Sequence, residues 1–162
     1  MKPPPYPMKK TQLLLLALIL IATPALAQPS LGLAEPYDTV TEQYLIIHDK
    51  LVHDDFDGVT AAAQVIQKTL AADPHKTFPP EFSQAVDQLA AAPDIHVARQ
   101  AFKAVSVQLI DTFKLAKINT GVLHEVYCPM AQAYWVQEDP KVAHNPYFGK
   151  ARENCGDTLA NF

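Results

Sequence analysis

Residues 121–135 read Gly-Val-Leu-His-Glu-Val-Tyr-Cys-Pro-Met-Ala-Gln-Ala-Tyr-Trp (GVLHEVYCPMAQAYW). Upstream of this stretch apolar residues recur at helical spacing; from here on they do not. Val122, Leu123, Val126 and Tyr127 favour extended backbone, so a short strand is expected over 121–127. Beyond it Pro129, Pro140 and Pro146, with Gly149 and Gly156, argue against long helices and mark an irregular segment. Tyr134, Trp135, Tyr147 and Phe148 supply the bulk to dock that segment. The same stretch places Cys128, Met130 and the chain's single tryptophan within eight positions. Its sulfurs are packing atoms, half of a disulfide, or ligands for a soft metal.

Working outward, Ile95, Ala98, Phe102, Val105, Leu109 and Phe113 form one long apolar stripe, which predicts a helix from about Ile95 to Lys117. Ala92-Pro93-Asp94 ends the helix before it and caps this one. That preceding helix begins at Pro79-Pro80 and carries Phe82, Val86 and Leu89. A helix over Val59–Ala72 buries Ala62, Ala63, Ile66 and Leu70, with Asp73-Pro74 as its stop. The first helix, capped by Asp38 or Thr39 and running to about His53, aligns Val40, Tyr44, Ile47, His48 and Leu51 on one face. Short connections between four amphipathic helices give the expected fold class: all-α, an antiparallel four-helix bundle with an irregular C-terminal segment, including the short strand, packed on it.

The N-terminus reads as a targeting segment. Lys2, Lys9 and Lys10 precede an apolar run from Leu13 to Ala22, and Ala25-Leu26-Ala27 supplies a small-x-small cleavage pattern, so 1–27 is expected to be a cleaved secretory signal peptide. The run is too short for a bilayer core of ~30 Å, and no lipid-attachment cysteine follows it. Residues 28–36 read as a flexible lead-in and 37–162 as a single helical metal-binding domain. Removing three lysines and no acids takes the formal charge from −4 to −7. An acidic surface argues against nucleic acid and against anionic membrane as partners. The expected compartment is a bacterial periplasm, where thiols can oxidise.

The pieces Cys128-Pro129-Met130-Ala131, Tyr134-Trp135, Asn145-Pro146-Tyr147-Phe148-Gly149 and Cys155-Gly156 occur in this order. Upstream, Tyr44, Leu51, Asp54-Asp55, Arg99, Phe102 and Ser106 accompany them. In these residues the sequence resembles a bacterial domain-of-unknown-function family, found alone and fused to periplasmic adaptor subunits of copper and silver efflux pumps. The resemblance implies a periplasmic helical domain that handles copper or a related heavy metal, with an efflux adaptor or cuproprotein as partner. Two departures stand out. Members often carry a methionine three residues before the final cysteine, where this chain has Arg152, and the stretch from Met130 to Tyr134 is shorter than usual.

Cuprous copper is soft and takes thiolate, thioether and imidazole donors; silver and zinc are further candidates. Cys128 and Met130 are two apart and face one side of an extended segment. Cys155 returns to complete a sulfur-rich site or to close a disulfide with Cys128. An even cysteine count in an oxidising compartment favours the disulfide; the resemblance favours ligation. Met130 taken alone is more often a gap-filler. His48 points inward, where a hydrogen-bonded core histidine is the commoner outcome. His53 lies about 140° further round the helix and cannot share its metal. His124 faces the same side as Cys128 and Met130, His144 can approach Cys155, and His75 and His96 read as surface residues. The candidate metal ligands are therefore Cys128, Met130, Cys155, His48 and His124.

No enzyme is expected. The sequence has no Cys-x-x-Cys, haem-attachment, phosphate-loop or nucleophile-elbow motif. Asp54, Asp55 and Asp57 lack the ladder and distal glutamate of a calcium loop. The functional expectation is a periplasmic protein that buffers or delivers cuprous copper. The alternative is a disulfide-stapled helical module that binds a protein partner without metal.

Overall fold

The computed structural model describes residues 31–162. The signal peptide expected over 1–27 and the start of the lead-in lie outside the described residues. Four helices come first: α1 Tyr37–Val52, α2 Val59–Ala72, α3 Pro80–Ala90 and α4 Ile95–Ala116. Each buries the face that its periodicity assigns. Val40, Tyr44, Ile47 and Leu51 of α1 have no exposed surface, nor do Ala63 and Ile66 of α2 or Phe82, Val86 and Leu89 of α3. Ala98, Phe102, Val105, Leu109 and Phe113 of α4 meet them, and Tyr44 stacks on Phe102 with ring centroids 4.7 Å apart. Consecutive helices pack against one another, as short connections require.

Capping follows the sequence at α4 and departs from it at α1. Asp94 caps α4, its Oδ1 accepting from the amides of His96 (2.8 Å) and Val97 (2.9 Å). Asp38 does not cap α1: Pro36 holds the N-cap position, and the Asp38 carboxylate accepts the Leu33 amide at 3.3 Å. The aspartates before α2 shape a turn, Asp55 accepting the Asp57 amide, while left-handed Gly58 occupies the N-cap.

The all-α expectation is wrong. Behind the helices lies a three-stranded antiparallel sheet, β1 His124–Cys128, β2 Ala133–Gln137 and β3 Asp157–Asn161, in the order β2-β1-β3. The fold is α+β. The prolines misled because they fall outside the strands: Pro129 is in the β1–β2 turn, and Pro140 and Pro146 are in the long connection to β3. Ala133–Gln137 looked like aromatic anchors in an irregular run, yet it pairs with β1 from His124↔Gln137 to Cys128↔Ala133. β3 has no apolar alternation, and Leu159 is half exposed; only its pairing with distant β1 makes it a strand.

Three tethers fix this sheet to the helices. Trp135, fully buried on β2, meets Tyr147 edge-on, and Tyr147 in turn lies against Phe102 of α4 with ring centroids 6.2 Å apart. The Tyr44 hydroxyl accepts the Val136 amide at 3.0 Å and lies 2.8 Å from Ser106 Oγ, while Tyr147 Oη lies 3.1 Å from the same oxygen. At the end of the chain, Phe162 packs edge-on against Phe113, and its amide donates to Leu123 O at 2.8 Å.

Candidate functional site

The end of β1 supplies the first sulfur. Cys128 is fully buried at the last position of the strand, and the tight turn beyond it carries Met130 out to 54% exposure. Gln132, at φ 48°, turns the chain back into β2. Lys103 of α4 donates to Ala131 O at 2.9 Å and so holds this turn against the helices. Cys155 arrives from the far side of the connection and is disulfide-bonded to Cys128, with Cα atoms 5.7 Å apart. Arg152, three residues before Cys155, donates from Nη1 to Met130 Sδ at 3.4 Å, and its carbonyl accepts the Cys155 amide at 3.2 Å. This corner thus holds the Cys128–Cys155 disulfide and, two residues along the turn, Met130 with the Arg152 guanidinium on its thioether.

The residues between these sulfurs are fasteners. Asn145, fully buried, donates from Nδ2 to Cys155 O at 2.7 Å and accepts the Tyr147 amide at 2.8 Å. Its own amide donates to Glu153 O at 2.7 Å. One side chain therefore folds the Asn-Pro-Tyr-Phe-Gly turn and delivers Cys155. Arg99, buried on α4, donates to the carbonyls of Pro146 (2.8 Å) and Leu51 (2.6 Å) and to Asp54 Oδ1 (2.6 Å). The guanidinium hydrogen bond holds the Asp54 carboxyl below its ordinary pKa. Gly149, at φ +55°, backs onto this pair, and a Cβ there would lie 2.1 Å from Asp54 Oδ1. At Gly156 a Cβ would lie 2.5 Å from Trp135 Cη2. The sequence marked these residues as a motif without separating fasteners from donors; the buried asparagine and the two glycines were the signal available.

The structure does not bring the two candidate histidines to this corner. His124 begins β1, four residues and about 13 Å along the strand from Cys128, and its Nδ1 lies 2.8 Å from Asn161 Oδ1. His48 is on the buried face of α1 with Nε2 2.8 Å from His144 O, and burial lowers its pKa to about 4. His144 turns to Glu153 rather than to Cys155. Among the described residues, no three His, Cys, Asp or Glu side chains stand as a metal cage.

A soft ion needs thiolate or thioether donors. In the disulfide-bonded form the corner offers one, Met130, and does not fit cuprous copper. Reduction would make it two thiols and a thioether. Among the described residues no helix is long and apolar enough to cross a membrane. Residues 40–121 match a family described as a protein of unknown function, DUF3347. That range covers the helices from the first turn of α1 and stops before β1, so the sulfur corner lies beyond it. Neither a curated protein nor a solved structure matches the chain.

Proposed function

Because the chain belongs to the DUF3347 family and carries the sulfur corner beside its family fold, we propose that it is a non-enzymatic heavy-metal-binding domain for cuprous copper. In this reading it is exported to the periplasm, buffers the ion, and delivers it to an efflux adaptor or cuproprotein. Support for the finer kinship, with domains fused to copper and silver efflux adaptors, is the motif from Cys128 to Gly156. The observation that carries the reading is the exposed Met130 two residues beyond the Cys128–Cys155 pair, with Arg152 reaching its thioether from the position where the resemblance expects a methionine. A dithiol reductant would open the site: it gives two electrons and two protons to the disulfide and is itself oxidised to a disulfide. The two thiols then lose their protons on ligation.

The disulfide itself favours a second reading, a stapled helical module that binds a protein partner and no metal. A thiol count with copper uptake separates the two. Protein isolated from the periplasm without reductant, holding two thiols that copper protects, supports the first. Protein with no thiols, and no cuprous binding even after reduction, supports the second.

A further inference from the structure

The Met130 thioether is exposed, and a guanidinium is fixed against it. We propose that Met130 is a reversible oxidation site, at which a hydroperoxide converts the thioether to the sulfoxide and Arg152 decides which sulfoxide epimer forms.

Selectivity for this residue comes from what the rest of the domain withholds. Two-electron oxidants attack thiolates and thioethers. Cys128 and Cys155 are joined to each other, and no free cysteine stands among the described residues. Met130 is the one methionine of residues 31–162, and more than half of its surface is open to solvent. A peroxide in solution therefore meets no thiol and a single, accessible thioether.

Selectivity for one epimer comes from Arg152. A thioether sulfur has two lone pairs, and oxidation at one or the other gives opposite epimers. Arg152 Nη1 donates to Met130 Sδ at 3.4 Å, so one lone pair is engaged and the other is left to the oxidant. Both partners ride on pinned backbone. On one side the Ala131 amide reaches Cys128 Sγ at 3.4 Å, and Lys103 donates to Ala131 O at 2.9 Å. On the other, the Arg152 amide donates to Gly149 O and its carbonyl accepts the Cys155 amide, both at 3.2 Å. The disulfide joins the two sides. Among the described residues no carboxylate pairs with the guanidinium, which leaves the thioether as its side-chain partner.

The reaction balances with the hydroperoxide as its only co-reactant. The open lone pair attacks the terminal peroxide oxygen, and the S–O bond forms as the O–O bond breaks. Sulfur gives up two electrons, and hydrogen peroxide, so reduced, leaves as water. Methionine sulfoxide reductases reverse the change. In the copper reading, oxidation would also remove the corner's thioether donor. That consequence rests on the proposed function; the modification itself does not.

The test treats disulfide-bonded protein with hydrogen peroxide and locates the added oxygen by peptide mass. The expected product carries it on Met130 with the disulfide intact. After digestion, the two epimer-specific methionine sulfoxide reductases each restore one epimer, and their shares give the ratio. Native wild type should favour one epimer by at least about threefold, a bias that a contact of weak-hydrogen-bond strength sustains. Arg152→Ala, a change at an exposed position, should give nearly equal shares, as should wild type oxidised in denaturant. Three results would each overturn the proposal. They are a Met130 that resists a dose oxidising the unfolded protein, equal shares in native wild type, and an undiminished bias in Arg152→Ala. No copper enters these measurements, so they and the cuprous titration of reduced protein fail separately.

Discussion

The helical half and the segment from residue 121 onward are held by different physics. In α1–α4 the fastening is diffuse: many apolar side chains share the load, and hydrogen bonds run within each helix. The C-terminal segment joins that core through Leu123, Val126, Trp135, Val136 and Phe162 and adds single attachments that are polar or sterically tight. Arg99 ties it to α1 and α4, Asn145 folds its turn, the disulfide closes it, and two glycines let backbone approach side chains. A diffuse core should yield gradually to substitution. A segment fixed at single points should come away when one point fails.

The strongest challenge to that contrast is Trp135→Ala. Trp135 fills the space between β2, Tyr147 and Gly156 and has no exposed surface. Its loss should cost roughly 3–5 kcal/mol in denaturant unfolding. An unchanged midpoint would mean that the sheet is not docked. Reducing the disulfide comes next. It closes a 27-residue separation, which the chain-entropy account converts to about 3.5 kcal/mol. Unfolding with and without a dithiol reductant measures it.

A third prediction concerns pH. Burial pushes the His48 pKa down to about 4 in the folded protein, from the ordinary histidine value of 6.5 that the unfolded chain keeps. Between those values the unfolded chain takes up a proton that the folded protein refuses, so stability falls as pH falls through that window. The loss attributable to His48 is about 3 kcal/mol by the time pH reaches 4. His48→Gln should flatten that part of the stability–pH curve; an equally steep curve would assign the acid sensitivity to other groups.

The same contrast explains what was legible in the sequence. Helix periodicity is local, so Tyr44, Phe82, Phe102 and Phe113 announced their faces from neighbours three and four positions away. Strand pairing is not local. β1 was visible because Val122, Leu123, Val126 and Tyr127 are strand formers. β3 was invisible because Asp157–Asn161 becomes a strand through pairing with β1. The sulfur corner was legible as a motif. Arg152 was flagged only as a missing methionine, and its hold on Met130 follows from the path of the loop. A cleft at His48 could not be read at all, since residues far apart in the chain line it, among them positions 48, 139, 144 and 153.

The smallest expected change in stability carries the sharpest functional test. Met130 is 54% exposed and stands outside the buried core. Met130→Leu keeps its volume and should cost well under ~1.5 kcal/mol, leaving the unfolding curve of metal-free protein nearly unchanged. Cys128→Ser and Cys155→Ser cannot make this separation, since each breaks a staple as well as removing a donor. If Met130 is a thioether ligand, its loss should weaken cuprous binding of the reduced protein. Zinc, which gains little from thioether ligation, should bind both proteins alike. Arg152→Met should act in the opposite direction, replacing the guanidinium on Met130 Sδ with a further soft donor. Competition against a cuprous chelator, on reduced wild type and both variants, reads all three affinities. The expected order is Arg152→Met tightest, then wild type, then Met130→Leu. Equal affinities would remove Met130 from the site and leave the exposed methionine with no role in binding.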